Sequence, residues 1–359
     1  MLTVLIIGSG SIAGAHAGAF LSLGERADIR AVVDSDKNRA EEFIKKHKLS
    51  ARVYTDYQEA LAKERIDLAS ICTPPPFHKT MTVDCLNAGA HVLLEKPMAP
   101  SLEECDAMLA AAERNKRLLS VVAQNRYYTP TRNIKRLLED GHCGKLLYTQ
   151  AISAWWRGRA YYETWHGTLK GEGGGCTLNL AVHQIDLLIW MAGLPCELMA
   201  MMSNVNHSNA EVEDISMAMA RFPDGSVGEI TGSTIHHGEG QTMVFQTERA
   251  GLGIPFFLRC SGGPSGQENE SAAELEALYK GYPPLKREGH AGQIEDFVTA
   301  IETGKGSPIL PTGRSGREAI EVVTGIYKAA LSGRTAALPI SADDPFYNME
   351  ERLKVMPRF

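Results

Sequence analysis

The chain has 359 residues, of which 44% are hydrophobic and 22% charged, with a formal net charge of −6. That length predicts two domains, and the acidic balance excludes the basic face a nucleic-acid binder needs. No apolar run reaches the ~20 residues that span a bilayer. Seven cysteines without CxxC or other metal spacing predict free thiols in a reducing compartment, hence a cytoplasmic protein with no metal site.

The N-terminus, MLTVLIIGSGSIAG, lacks the basic region and cleavage site of a signal peptide. Its unbroken apolar run Val4–Ile7 fits a strand buried on both faces of a parallel sheet. Gly8-x-Gly10-x-x-Ala13-Gly14 follows, through Ser11 and Ile12. There Gly8 makes a tight turn, Gly10 admits a pyrophosphate to the backbone, and Ala13 or Gly14 lets the next helix pack close with its N-terminus toward phosphate. A second strand, IRAVVDSD, ends in Asp34, 20 residues beyond Gly14, where an acid is expected to bind the adenosine ribose hydroxyls. A carboxylate there favours NAD; Lys37 and Arg39 keep NADP as the alternative.

Helices and strands alternate from there to LLSVVAQN at 118–125, which predicts right-handed βαβ crossovers and a doubly wound parallel sheet over 1–123. Ligands of such sheets bind beyond the carboxyl ends of the strands. Thr73-Pro74, Glu95-Lys96-Pro97 and Gln124-Asn125 all lie at such ends. Beyond residue 123, segments of period-2 character follow closely, among them ELMAMMSNVN, EDISMAMARF, SVGEITGSTI and TMVFQTE, with Phe222-Pro-Asp-Gly225 as a hairpin turn. They predict an α+β domain over 124–340 with an open, mainly antiparallel sheet, followed by a C-terminal tail at 341–359. One face of such a sheet is left for oligomerisation.

Gly173-Gly174-Gly175 precedes a predicted helix that stops at Gly193. In a regular α-helix Asn179, His183 and Asp186 fall within about 60° of one face, beside an apolar stripe. The glycines mark a place where something approaches the helix start. Trp155, Trp156, Arg157, Tyr161, Tyr162, Trp165 and His166 form an aromatic-rich insert before it, suited equally to stacking on sugar rings and to a core or subunit interface.

These residues together (the glycine turn, Asp34, Thr73-Pro74, Glu95-Lys96-Pro97, the Arg126-Tyr127 region and Gly-Gly-Gly…His183-x-x-Asp186) resemble the glucose–fructose oxidoreductase/inositol dehydrogenase/MocA (Gfo/Idh/MocA) family over nearly the whole chain. The resemblance implies a Rossmann domain followed by an open α/β domain, with the nicotinamide between them. It implies oxidation of a secondary alcohol of a sugar, glycoside or polyol, or the reverse. Carried over by position, Lys96 and His183 are the catalytic pair, with Asn179 beside them where many members have Asp. Gly8, Gly10, Ser11, Ile12, Asp34, Thr73, Pro74, His78, Glu95, Lys96, Pro97, Gln124 and Asn125 would hold the cofactor. Arg126, Arg157, Tyr162 and Trp165, with the three catalytic residues, would hold a carbohydrate.

Neutral imidazole is a suitable base near pH 7, and a partly desolvated lysine beside a cationic ring gives up its proton readily. Asn can hydrogen-bond a hydroxyl but cannot take its proton. Two other readings remain open: a redox-neutral, NAD-dependent glycoside-cleaving enzyme, as some relatives of the fold are, and a non-catalytic nicotinamide-binding regulator. The second is disfavoured because a sensor needs neither Lys96 nor His183. A homodimer or homotetramer through the C-terminal sheet is expected, with no nucleic-acid or membrane partner.

Overall fold

The computed structural model describes residues 1–262, 265–268 and 271–357, without the side chains of Gln267 and Glu268. In chain order the first elements are β1 (Leu2–Ile7), α1 (Ser11–Leu21), β2 (Ala27–Val33), α2 (Lys37–His47), β3 (Arg52–Tyr54), α3 (Tyr57–Lys63), β4 (Leu68–Ile71), α4 (His78–Asn87), β5 (His91–Leu94), α5 (Leu102–Asn115) and β6 (Leu119–Val121). Then come α6 (Thr129–Glu139), β7 (Leu146–Trp156), α7 (Leu169–Glu172), α8 (Val182–Ala192), β8 (Glu197–Ser203), β9 (Ile215–Arg221), β10 (Val227–Ser233), β11 (Ile235–Thr247), β12 (Gly251–Ile254) and β13 (Phe257–Arg259). The chain ends with the short pair β14 (Ser261–Gly262) and β15 (Gln267–Glu268), α9 (Ser271–Gly281), α10 (Gly289–Thr303), α11 (Gly313–Ser332), β16 (Ala336–Ala337) and α12 (Met349–Val355).

These form two compact units, 1–127 with 286–317, and 128–285 with 318–359. The first is the predicted doubly wound sheet, six parallel strands in the order β3-β2-β1-β4-β5-β6. Val4, Leu5 and Ile6 are wholly buried, as a strand covered on both faces must be. Strand order reverses between β1 and β4, and Gly8, Thr73, Lys96 and Gln124 all follow the carboxyl ends of strands there.

One boundary differs from the sequence reading. Residues 286–317, expected in the second domain, complete the first unit. Ile294, Phe297 and Val298 of α10 share a buried cluster with Ala13, Ala17 and Phe20 of α1. Gln293 supplies hydrogen bonds at the β6 edge: its Oε1 accepts Ala123 N–H at 2.9 Å and its Nε2 donates to Val121 O at 2.9 Å. A parallel sheet left open there would expose unpaired backbone groups, so this side chain stands in for a seventh strand.

The second unit carries an eight-stranded sheet, β13-β12-β11-β7-β10-β9-β8-β16. It is antiparallel except where β7 and β10 run parallel. The Phe222–Gly225 turn joins β9 to β10, with Phe222 N–H donating to Ser226 O at 2.9 Å. On β8 and β9, apolar alternation runs to both faces. Leu198, Ala218 and Ala220 are buried, whereas Met199, Met201, Met217 and Met219 are exposed. Cross-strand register pairs Met199 with Met219 and Met201 with Met217.

The expected tail, 341–359, is held in place as far as it is described, since 358–359 lie outside the described residues. Arg352 of α12 is fully buried. Its Nη2 donates to Gly173 O at 2.7 Å, and its guanidinium lies 5.4 Å from the Tyr327 ring centroid.

Candidate functional site

In the first unit, β1 leads into a turn at Gly8, whose φ is +92°. A Cβ there would lie 2.7 Å from Cys72 O, so only glycine lets the turn pass β4. Gly10 is the N-cap of α1 and makes no side-chain cap bond, and a Cβ on it would have open space around it. The exposed Ser11 and half-buried Ile12 begin the helix. Asp34, 8% exposed, closes the other side of this turn. Its Oδ2 accepts Ser9 N–H at 3.0 Å and Ser9 Oγ–H at 2.7 Å, its Oδ1 accepts Asp36 N–H at 3.0 Å, and Arg39 lies 3.8 Å from Oδ1. Burial works against its charge, but the Ser9 and Asp36 donors and Arg39 outweigh it and hold the carboxyl below its ordinary range.

Open space at Gly10, an uncapped helix start and an ionised acid at the end of β2 fit a dinucleotide's pyrophosphate and ribose. Gln124 adds a further fitting feature, since its Oε1 is buried without a hydrogen-bond partner among the described residues. Asn125 and the buried Arg126 follow it in the same short turn, Gln124–Tyr127.

β5 ends at Leu94, and the next three residues turn in different directions. Lys96 is half-buried and its peptide bond to the buried Pro97 is cis. The Glu95 carboxylate, expected at the cofactor, points into the unit's interior. Its Oε1 pairs with His16 Nε2 at 2.9 Å and its Oε2 accepts Lys96 N–H at 3.1 Å. His16, on α1, also contacts Ser70 Oγ through Nδ1 at 2.8 Å. His290 of α10 faces the same carboxylate at 3.7 Å. Burial opposes charge on His16, but Cys72 and Glu95 overcome it and raise its pKa to about 10; burial likewise opposes charge on Glu95, and His16 and its other partners hold it well below the usual range.

His78 is a brace as well. It is fully buried, with Nε2 at 2.7 Å from Thr73 O and Nδ1 at 2.9 Å from Pro97 O, and it links the Thr73-Pro74 loop to the Lys96 turn. Burial keeps its pKa below the ordinary value despite those carbonyls.

In the second unit two of the three glycines, Gly174 and Gly175, make room for the protein itself, and Gly173 ends α7 with φ +85°. A Cβ on Gly175 would lie 2.1 Å from Glu213 O, and one on Gly174 2.1 Å from the Tyr327 hydroxyl. Glu213 is wholly buried. Its Oε2 accepts Gly175 N–H and its Oε1 accepts Thr177 N–H, both at 3.0 Å, and Oε1 also accepts the Tyr327 hydroxyl at 3.1 Å. Burial lifts the Glu213 pKa above its ordinary value in spite of those donors. The helix that follows opens with a π turn, Thr177–Ala181, before α8 begins at Val182. The regular 3.6 spacing expected for Asn179 and His183 therefore does not hold at its start; such turns recur at functional sites. Asn179 and Asp186 are buried and His183 is half-buried.

The aromatic insert divides. Tyr162 is buried with its hydroxyl 2.9 Å from Thr234 Oγ1, so it braces the core. Its neighbour Tyr161 instead receives Asn179 Nδ2 at 3.1 Å. Tyr161, His166 and Trp165 stack in series, with centroids 4.0 Å and 3.7 Å apart. Arg157 packs over Trp155 at 4.9 Å and pairs with Glu239. Trp165 is 39% exposed. The residues that sequence reasoning missed are supports: His16, Gln293, Glu213, and Glu172, whose Oε1 accepts Asn179 Nδ2–H at 2.6 Å.

A parallel sheet with a glycine turn, an acid at the second strand's end and a lysine beyond the fifth defines a dinucleotide-dependent oxidoreductase unit. A family model described as an oxidoreductase family with an NAD-binding Rossmann fold matches residues 2–123, and the GFO/IDH/MocA C-terminal domain matches residues 131–252. The chain belongs to the Gfo/Idh/MocA family, and its first unit is an NAD-binding Rossmann domain.

Among its relatives, D-glucoside 3-dehydrogenase of Escherichia coli strain K12 is 28% identical over 196 residues, 54% of this chain and 55% of that one. The 2,7-anhydro-N-acetylneuraminate hydratase of Mediterraneibacter gnavus is 26% identical over 252 residues, 68% of this chain and 65% of that one. The matches thus span between about half and two thirds of these relatives' length. The fold is shared with the WlbA dehydrogenase of Chromobacterium violaceum, solved with NADH and UDP-GlcNAcA (TM-score 0.83, 24% identity, 95% of this chain and 96% of that one). No helix among the described residues is long and apolar enough to cross a membrane.

The His16–Glu95 pair gives a pH prediction. Because the His16 pKa is raised, its contribution to stability is full below the unfolded value of 6.5 and is lost as pH rises toward about 10. The Glu95 contribution is present above 4.5 and is lost as pH falls. His16→Asn leaves a buried carboxylate without its cation and is expected to cost about 3–5 kcal/mol near neutral pH. Urea unfolding of wild type and variant across the pH range should show that difference shrinking toward pH 10.

Proposed function

We propose that this protein removes a hydride from a secondary hydroxyl of a sugar or glycoside, with NAD as the oxidant. The observation that carries the reading is Lys96, at the carboxyl edge of an NAD-binding sheet, on a turn fixed by Glu95 behind it and His78 beside it. Bound NAD supplies the hydride acceptor. Gly8, Gly10 and the start of α1 would receive its pyrophosphate, Asp34 its ribose hydroxyls, and Gln124 a donor of the nicotinamide end.

The chain must deal with the alcohol's proton. His183, as neutral imidazole, accepts it; Lys96 hydrogen-bonds the same oxygen and, in the reverse direction, polarises the carbonyl as an ammonium. Asn179 holds a hydroxyl. Arg157, Trp165 and the Tyr161–His166 stack offer a ring-sized face with polar edges, which suits a sugar. The D-glucoside 3-dehydrogenase relative supports a glycoside substrate. The hydratase relative favours a second reading, in which the ring is oxidised transiently and the hydride returned after elimination.

Purified protein with NAD, offered a panel of sugars, glycosides and anhydrosugars, should generate NADH with at least one of them. Lys96→Ala should lower kcat/KM for it by about 10²–10⁴-fold. Product formed with no net NADH would support the redox-neutral reading. No turnover of any member, with NAD bound, would contradict both.

We further infer a homodimer or homotetramer through the outer face of the eight-stranded sheet. Four methionines exposed side by side on β8 and β9 support this, since a contiguous apolar face of that kind marks a contact surface. Light scattering after gel filtration should give an oligomer for the wild type and a smaller species for Met201→Lys/Met219→Lys.

A further inference from the structure

His207 and Asp214 form a buried pair in the second unit, at most 3% exposed, and neither takes part in the chemistry proposed above. His207 Nδ1 lies 3.0 Å from Asp214 Oδ2, and its Nε2 lies 2.7 Å from the backbone carbonyl oxygen of Arg157. The Asp214 carboxylate also receives two backbone groups: Oδ1 accepts Val205 N–H at 2.9 Å and Oδ2 accepts Asn206 N–H at 2.8 Å. Arg157 directly follows β7, where the chain leaves the sheet for the aromatic insert.

The protonation of the ring follows from these partners. A carbonyl oxygen only accepts hydrogen bonds, so Nε2 must carry a proton to meet Arg157 O at 2.7 Å. A carboxylate that accepts backbone N–H groups through both oxygens is the ionised, acceptor-only form, so Nδ1 must carry a proton as well. A neutral ring of either tautomer would set a nitrogen lone pair against an oxygen lone pair at one end. Only the imidazolium satisfies both ends, and it places a cation beside a buried carboxylate, as a buried charge requires.

The same contacts close a circuit around the Arg157 peptide. Arg157 N–H donates to Thr234 O at 3.0 Å, Thr234 N–H donates to Asp214 O at 2.8 Å, and the Asp214 side chain returns through His207 to Arg157 O. Asn209 Nδ2, two residues beyond His207, donates to Arg159 O at 3.1 Å. The Arg157 guanidinium packs 4.9 Å from the Trp155 ring centroid and 5.5 Å from that of Tyr161, and Tyr161 opens the stack with His166 and Trp165. We propose that His207, as an imidazolium, is a positioning residue that fixes the aromatic face on which the sugar ring is bound. This deepens the sugar-oxidising reading above and rests on it. Loss of one ring proton replaces an attraction with a lone-pair clash at Arg157 O or at Asp214. The grip on the insert, and with it sugar binding, therefore weakens as pH rises.

The ionisable groups around the pair are Tyr162 of the 159–163 turn, whose ring centroid is 4.6 Å from that of His207, Cys176 of the glycine loop, Glu213 next to Asp214, and Glu172 of α7, which acts on Tyr162 and Cys176. Burial raises Tyr162 and Cys176, so neither carries charge near neutral pH. Glu213 and Glu172 can only add negative charge, which favours the cation. The Arg157 guanidinium is turned to Glu239.

The test reads the ring first, by nuclear magnetic resonance of the NAD-loaded protein isotope-labelled at its histidine ring nitrogens. The His207 signal is the one lost in His207→Gln. At about pH 7.5, where an ordinary histidine with a pKa of about 6.5 is largely neutral, it should show protons on both nitrogens. In Asp214→Asn the side-chain amide can donate to Nδ1, so the ring should become neutral with its proton on Nε2.

On a sugar that the wild type oxidises, His207→Gln should raise KM about tenfold with a smaller effect on kcat, and should leave NAD affinity within about twofold. Wild-type KM should rise toward alkaline pH, and His207→Gln, which has no ring proton to lose, should flatten that rise. A purely structural His207 would lower the melting temperature and the active fraction, and so kcat, while leaving KM and its pH profile in place. A neutral ring in the wild type at about pH 7.5, or a KM and pH profile unchanged in His207→Gln, would overturn the proposal. An imidazolium in a wild type that oxidises no sugar would uphold the brace and count against the sugar-oxidising function instead.

Discussion

A carboxylate taken out of water must be satisfied by donors held at fixed positions, and it fixes those donors in return. Each unit of this protein uses that constraint to set a backbone turn. In the first, Glu95 accepts Lys96 N–H while His16 balances its charge. In the second, Glu213 accepts the N–H groups of Gly175 and Thr177 at the start of the helix that bears Asn179 and His183. Neither carboxylate is aimed at solvent, and both are wholly or almost wholly buried. Losing a partner would strand a buried charge or an unpaired polar group, which costs far more than the net gain from making the bond. The turns therefore hold their shape, and a reaction that needs atoms placed to within a fraction of an ångström can depend on them.

The surrounding fold supports these anchors. The parallel sheet brings the carboxyl ends of four strands to one edge, where Gly8, Thr73, Lys96 and Gln124 are found. α10 closes the unit from far along the chain, packing Phe297 on α1 and tying Gln293 to the β6 edge. In the second unit, Tyr327 of α11 and Arg352 of α12 reach the glycine loop from the C-terminal part of the chain. Gly174 and Gly175 are there because protein atoms crowd them, and a side chain at Gly175 would displace Glu213 itself.

Much of this was legible in the sequence, for identifiable reasons. The apolar runs of β1 and β5 and the IRAVV stretch of β2 stood out, and the residues just after them could be named from strand ends alone. Asp34 and Lys96 were found that way. The supports were not, because each joins distant parts of the chain: His16 to Glu95, Gly175 to Glu213, Gln293 to Ala123. An amphipathic pattern identifies α10 as a helix but does not say which sheet edge it covers. Glu172 lies only seven residues from Asn179, yet one ends a short helix and the other sits in a π turn beyond three glycines, and no regular period relates the two. Of two adjacent tyrosines, the sequence offered no means of telling that Tyr162 enters the core while Tyr161 meets Asn179.

The proposed function requires Lys96 and His183 to handle one proton as a pair. A double-mutant cycle on kcat/KM for an oxidised sugar, with Lys96→Met and His183→Asn, tests it most directly. Groups that act as a unit are strongly non-additive, so each single variant should lose about 10²–10⁴-fold and the double variant should be little worse than the poorer single. Wild-type activity in either single variant, or losses that simply multiply in the double, would contradict the account.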